Sequence, residues 1–183
     1  MKHPRTSSWF QESAIAVRTL EPDVISWLCD QGSLTRRLVE RCGDQFSVRV
    51  LSQEWIQPAV DEARLLKVPL RQKAVLRQVQ LLCGSQVLVY ARSIIPLATL
   101  QGPHRRLKHL GTKPLGGYLF AQASLKREQQ QLATITRNNP LFEIALPGDK
   151  ENRPCIWGRR SLFTLSGKSL LVSEYFLPEL FNS

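Results

Sequence analysis

What the chain lacks narrows the field first. No run of about 18 apolar residues occurs in its 183 residues, which excludes a membrane-spanning helix. The start, "MKHPRTSSWFQESAIAV", is basic, but its apolar run is short and broken by polar residues, so it is not a signal peptide. The four cysteines (Cys29, Cys42, Cys83 and Cys155) form no C-x-x-C pair, and the three histidines sit at no ligand spacing with them. The expectation is reduced cysteines in the core or in strands of a cytoplasmic protein, with no metal site. No helix-turn-helix, RRM or zinc-finger signature is present, and no internal repeat.

Nucleotide motifs are missing too. "SGKS" at 166–169 resembles the end of a phosphate loop, but the first glycine of that motif would fall at Leu162. The glycine-rich "GTKPLGGYLF" at 111–120 lacks the G-x-G-x-x-G spacing. Its glycines still invite something close to the main chain: another strand, a phosphate or a small anionic ligand.

What is there reads as one domain over 1–183, with residues 1–19 as an N-terminal extension. The composition is 43% hydrophobic and 22% charged, enough for a single sizeable core. The net charge is +10, with the basic residues scattered as Arg36-Arg37, 104–108 and Arg159-Arg160. That distribution reads as solvated faces on separate elements, and the field it creates favours an anionic partner.

Residues 21–43 read as two helices. Pro22 opens the first and Gly32 ends it, while Ser33 caps the second and Gly43 closes it. "FSVRVL" at 46–51 alternates as a strand, and "VDEARLLKV" between Pro58 and Pro69 allows a helix. Two hairpins are the clearest signals, 75–83 with 86–95 around Gly84-Ser85, and 158–165 with 168–177 around Ser166-Gly167. A short helix fits 103–110, and 137–154 reads as a polar loop insertion. Hairpins with flanking helices predict an α+β domain on an antiparallel sheet.

Charged residues caught on apolar strand faces are the candidates for function. Arg77 shares a face with Val75, Val79 and Leu81. A strict two-residue turn places it opposite Arg92, whose face-mates are Leu88, Tyr90 and Ile94. Two arginines on one apolar face call for an anion; otherwise they reach water at the sheet's end or pair with internal acids. In the second hairpin Glu174 shares a face with Leu170, Val172 and Phe176 and falls opposite Arg159. That is either a cross-strand ion pair or a carboxylate in an apolar pocket, able to take a proton or hold a hydroxyl.

Six blocks, "GSLTRRL", "LRQVQLLC", "ARSIIPLATLQGP", "GTKPLGGYLF", "IWGRRS" and "LSGKSLLVSEYFLP", resemble the chorismate pyruvate-lyase family, in its order, from about residue 20 to residue 178. The resemblance implies an antiparallel sheet of about six strands, with helical flaps over a buried site. It implies conversion of chorismate to 4-hydroxybenzoate and pyruvate, the first step of ubiquinone biosynthesis, with no metal or organic cofactor. Arg77 would hold the ring carboxylate with help from the main chain at Leu115, Glu174 would meet the phenolic end, and Leu34 would stand on a flap. Parity alone adds Arg92 and Arg159, as groups that stabilise the departing pyruvate enolate. The chain departs from the family at the 137–154 insertion and at Gly117, where an arginine is expected.

The expected protein is a cytoplasmic monomer that binds chorismate and 4-hydroxybenzoate, with no nucleic acid partner. Two other readings compete. The same sheet serves as the effector-binding domain of certain transcription regulators, but those domains follow a winged helix, and no room for one exists before residue 20. A nucleic-acid-binding module rests on charge alone.

Overall fold

The computed structural model describes residues 9–11, 20–149 and 153–181. Most of the expected N-terminal extension, 1–19, therefore lies outside the described residues, as do residues 150–152 of the expected insertion. Among the described residues no helix is long and apolar enough to cross a membrane.

The two predicted hairpins form the middle of the sheet. Strands β3 (Ala74–Cys83) and β4 (Gln86–Pro96) turn at Gly84-Ser85, with Gly84 at φ +58°. Strands β6 (Cys155–Leu165) and β7 (Lys168–Phe176) turn at Ser166 and Gly167, both at positive φ, as a tight mirror-image turn demands. Around them lie β1 (Phe10–Gln11), β2 (Phe46–Ile56) and β5 (Leu125–Thr136). The order is β1-β5-β6-β7-β4-β3-β2, and every neighbouring pair is antiparallel. Six long strands with a two-residue edge strand make the expected α+β sheet.

Helices cover both faces. On one, α1 (Pro22–Leu28) and α2 (Leu34–Cys42) bury Leu28 and Leu38 against Val79, Leu81 and Ala91. Beside them a 3₁₀ helix (Gly102–His109) and α4 (Leu115–Phe120) bury Leu107 and Leu119 against Val75, Ile95, Phe163 and Val172. The opposite face carries α3 (Val60–Leu66), with Leu66 among Leu76, Ile94 and Leu171, and α5 (Pro140–Ala145), with Phe142 among Tyr90, Ala133 and Tyr175.

Local chemistry explains the helix ends. Ser33 Oγ accepts the Arg36 N–H at the start of α2, and Gly43 ends that helix at positive φ. Helix α1 stops at Leu28 with Cys29 as its cap, so Gly32 is not its terminator. Gly32 instead donates its N–H to Asp30 Oδ1 at 2.7 Å, a local turn between the two helices.

Three further expectations change. Within 137–154 the chain folds as α5, capped by Asn139, whose Oδ1 accepts the Leu141 N–H. Cys42 and Cys83, expected reduced, are joined as a disulfide, because the last residue of α2 lies against the last residue of β3. The first hairpin's register also shifts. Leu82 pairs with Val87 but Leu81 pairs with Val89, so Leu88 is an extra residue in β4. Beyond that bulge each residue slips by one and the facing side chain changes.

Candidate functional site

That slip decides which arginines meet. Arg77 pairs with Ser93, and Arg92 pairs with Gln78. Arg77 therefore faces α2 and α4, while Arg92 faces α3 on the other side of the sheet. There Arg92 Nη1 donates to Glu62 Oε1, both groups nearly buried. Burial works against the Arg92 cation, but the attraction of Glu62 outweighs it and raises the pKa. The expected pairing of Arg77 with Arg92 on one face is thus overturned by the bulge, and Arg92 belongs to a structural ion pair.

On the Arg77 face a cavity of about 570 Å³, including its mouth, lies between the sheet and helices α2 and α4. Its apolar lining includes Leu34, Val79, Leu115, Phe163 and Val172, and its charged lining is Arg77, Arg127 and Glu174. The sequence candidates Leu34, Arg77, Leu115 and Glu174 therefore come together, whereas Arg92 and Arg159 are outside the lining.

Arg77 is 1% exposed. Its Nη2 donates to the carbonyls of Gly111 at 2.7 Å and Lys113 at 3.2 Å, while its Nε has no partner. No carboxylate pairs with it among the described residues, and burial pulls its pKa below the ordinary arginine value. A buried cation held only by neutral dipoles is short of one anion.

Glu174 stands two strands away. Its strand neighbour Ala91 sits one side-chain repeat along β4 from Ser93, the partner of Arg77. Ladder spacings put the two Cα atoms about 12 Å apart, with both side chains over the same cavity. Arg159, directly opposite Glu174, donates from Nε to Glu174 Oε2 at 2.7 Å. Its Nη1 donates to the carbonyls of Trp27 at 3.0 Å and Asp30 at 2.9 Å, at the end of α1. Arg159 thus orients Glu174 and anchors the α1–α2 segment; the ion-pair reading of the sequence holds, and Glu174 lines the cavity as well.

The glycine-rich stretch has a different immediate cause from the one its composition implied. Gly116, on α4, faces Thr35 of α2, and a Cβ there would meet Thr35 Oγ1 at 2.6 Å. The two helices pack over the cavity by this close approach. Leu115 begins α4, where first-turn N–H groups have no acceptor within the helix.

Arg127 escaped sequence reasoning, and the reason is a second bulge. Arg127 pairs with Phe163 and Gln129 with Leu162, so Glu128 is the extra residue. The parity running back from Leu132 and Gln130 puts position 128 on the cavity face; the bulge brings Arg127 there instead. Nothing in "SLKREQQQLATIT" marks that slip, and its run of charged and amide residues hid the strand itself.

Outside the loop that holds Arg77, a second cavity is lined by Arg105, Arg106, Lys108, His109 and Lys113. Arg105 and Arg106 are exposed there, as the solvated-face reading expects, whereas His104 is buried and does not line this cavity. No cluster of His, Cys, Asp or Glu fit to hold a metal ion occurs among the described residues.

Comparisons with known proteins identify the family and the fold. A family model described as chorismate lyase matches residues 4–183. A protein of Methylococcus capsulatus named "Probable chorismate pyruvate-lyase" is 42% identical over 167 residues, covering 86% of this chain and 96% of its own length. One of the same name from Azoarcus is 38% identical over 185 residues, covering 98% of this chain and 96% of its own. Among solved structures, PhnF from Mycobacterium smegmatis aligns with TM-score 0.60 at 12% identity, over 82% of this chain and 65% of its own. A GntR-family transcriptional regulator from Bacillus cereus aligns with TM-score 0.56 at 11% identity, over 74% of this chain and 94% of its own. At such identities these two are alike in fold alone.

Proposed function

The chain belongs to the chorismate lyase family, and from that membership and the cavity we infer that it is a chorismate pyruvate-lyase. It eliminates pyruvate from chorismate to give 4-hydroxybenzoate, a step that supplies ubiquinone biosynthesis. The observation that carries the site assignment is Arg77, a buried cavity-lining cation with no acid beside it among the described residues.

Chorismate carries one carboxylate on its ring and one on its enolpyruvyl ether. In the elimination the ether C–O bond breaks, the hydroxyl-bearing ring carbon loses its proton, and the released electron pair makes the ring aromatic. The proton completes the methyl group of pyruvate. Aromatisation drives the step, so the protein's work is orientation, charge placement and exclusion of water.

Arg77 takes the ring carboxylate, aided by the first N–H groups of α4 at Leu115. Glu174, fixed by Arg159, meets the hydroxyl-bearing carbon or its hydroxyl and accepts or relays the proton. Leu34 and Leu115 cover the ring from α2 and α4. A site closed by packed helices holds its aromatic product well, so opening of α2 and α4 limits turnover. The reading also includes a monomer working in the cytoplasm, which the sedimentation coefficient and cell fractionation test.

The first experiment mixes purified protein with chorismate in EDTA and follows 4-hydroxybenzoate by chromatography and pyruvate by a coupled assay. Equal amounts of both are expected. No product, with tight binding of 4-hydroxybenzoate, favours a non-catalytic effector-binding domain, the role that the fold likeness to regulators keeps in view.

A further inference from the structure

The departing oxygen of chorismate calls for a hydrogen-bond donor, and the arginines expected to meet it are committed elsewhere. Arg92 holds Glu62 on the opposite face, and Arg159 holds Glu174 and the end of α1. Arg127 already donates to oxygens of Asp30, Gln31, Gly32 and Gln130. It also stands to one side: its partner Phe163 pairs with Leu170, four residues along β7 from Glu174. The register offers a neutral donor instead. We propose that Ser93 is a catalytic residue, whose hydroxyl donates a hydrogen bond to the ether oxygen of chorismate and stabilises the charge that collects there as the C–O bond breaks. This rests on the lyase reading above.

Three observations support the assignment. The first is position. Ser93 pairs directly with Arg77 on β3, and Ala91, its neighbour on the same face of β4, pairs with Glu174 on β7. Directly opposed residues have Cβ atoms about 5 Å apart and diagonal ones about 7–8 Å, so Ser93 stands beside Arg77 and one diagonal from Glu174. A ring with its carboxylate at Arg77 and its hydroxyl at Glu174 therefore lies across β4, over Ser93 and Ala91. The ether of chorismate is meta to the ring carboxylate and adjacent to the hydroxyl. Its oxygen thus falls partway along that span.

The second is an unmet bond. Ser93 is 5% exposed and lines the cavity, and its hydroxyl makes no hydrogen bond among the described residues. A buried hydroxyl without a partner carries a free-energy cost that alanine, as at position 91, avoids. A ligand oxygen that accepts from it removes that cost.

The third is the surround. Besides Arg77, Ser93 and Glu174, the side chains that β3, β4 and β7 bring to the lining are Val79, Leu81, Ala91 and Val172. Among the described residues Ser93 is therefore the one neutral donor on this part of the floor, and an apolar setting strengthens its bond to a forming anion. Thr35, the other hydroxyl of the lining, lies on α2 against Gly116.

The elimination balances without the Ser93 proton. The C–O pair leaves with the oxygen as the pyruvate enolate. The proton of the hydroxyl-bearing carbon passes to or through Glu174, and the freed pair completes the aromatic ring. The enolate takes a proton on carbon, and its oxygen becomes the carbonyl of pyruvate. Ser93 keeps its own proton throughout.

The test asks whether the hydroxyl reads the ether oxygen or only fills space. Wild type, Ser93→Ala and Ser93→Thr are compared for kcat and KM with chorismate. Calorimetry then measures binding of 4-hydroxybenzoate and of a matched pair, 3-(carboxymethoxy)-4-hydroxybenzoate and 3-(2-carboxyethyl)-4-hydroxybenzoate, which differ only by oxygen or methylene at the ether position. Ser93→Ala is expected to lower kcat by about 10²-fold with KM changed by less than about threefold. It should bind the ether ligand about 3- to 10-fold more weakly, with the methylene ligand and 4-hydroxybenzoate changed by less than about twofold. Threonine keeps the donor and should restore most of kcat. Equal losses for both members of the pair make Ser93 a packing residue and overturn the proposal, as does a Ser93→Ala kcat within threefold of wild type. If Ser93→Ala does not fold, Ser93→Cys, with a weak donor of similar shape, must show the same selective loss. If wild type turns over chorismate but binds neither member of the pair, kcat alone decides. Wild type that makes no product refutes the lyase reading, while the matched pair still judges the hydroxyl; no turnover and no binding of the pair removes both.

Discussion

Arg159 Nε donates to Glu174 Oε2 at 2.7 Å from the directly opposed position on the neighbouring strand. The bond fixes a carboxylate over the cavity with a fully buried cation behind it. Glutamine at 174 keeps the shape and still accepts from Arg159, but cannot take a proton. Glu174→Gln should lower kcat by about 10²- to 10⁴-fold if the group handles the proton, with 4-hydroxybenzoate binding nearly unchanged. Single-turnover kinetics make the check; a kcat within threefold of wild type would leave Glu174 as a structural ion-pair partner only.

Arg77 gives a binding prediction. Arg77→Gln removes the charge and keeps a donor for the Gly111 and Lys113 carbonyls. The affinity for 4-hydroxybenzoate should fall by roughly 10- to 150-fold, the usual worth of a hydrogen bond to a charged group. Calorimetry decides it, and benzyl alcohols lacking the carboxylate should lose nothing by the substitution.

Much of this site was legible in the sequence, and its failures share one cause. Alternation and turn residues place the two hairpins, and a hairpin without a bulge transmits register faithfully, so Arg159 meets Glu174 as predicted. In the other hairpin one extra residue, Leu88, moves Arg92 to the back of the sheet. The same event at Glu128 brings Arg127 into the cavity unannounced. A bulge depends on packing across strands, and no local residue pattern records it. Gly116 was likewise visible as a close approach, but its partner, Thr35, is set by how two distant helices dock.

On the far face, Arg92 and Glu62 form a nearly buried ion pair. Removing one partner strands the other charge, so Glu62→Ala should destabilise the protein by about 3–5 kcal/mol. Because neither group lines the cavity, kcat well below the melting temperature should stay within about twofold of wild type. Denaturant unfolding and activity measured on one preparation test both halves.

Tyr90 and Tyr175 are buried together at that face, with ring centres 5.5 Å apart. Burial raises the Tyr90 pKa from 10.0 to about 12, against the opposing pull of the Arg92 cation, and burial raises Tyr175 as well. Folding thus favours the protonated phenol. The stability this contributes is fully present below pH 10.0 and is lost as the pH rises through about 12. Phenolate absorbance should accordingly show two of the three tyrosines ionising only in step with alkaline unfolding. Both titrating near pH 10 while circular dichroism stays native would show that the pair is open to water.

The contact between Gly116 and Thr35 connects packing to turnover. A methyl group at 116 would sit 2.6 Å from Thr35 Oγ1 and 3.4 Å from its Cβ, so α2 and α4 must part slightly. Gly116→Ala also favours the helical conformation of α4 itself, by up to about 1 kcal/mol, so the effect on melting is small or even positive. The effect on the covered cavity is not. Looser packing of α2 on α4 should speed release of 4-hydroxybenzoate several-fold and raise its Kd in proportion. If release limits turnover, kcat rises while kcat/KM does not. Thr35→Ala removes the clashing oxygen, so the double variant should recover the slow release of wild type. Stopped-flow displacement on the four proteins measures the coupling. Additive effects on the release rate would mean that this contact does not control the opening of the site.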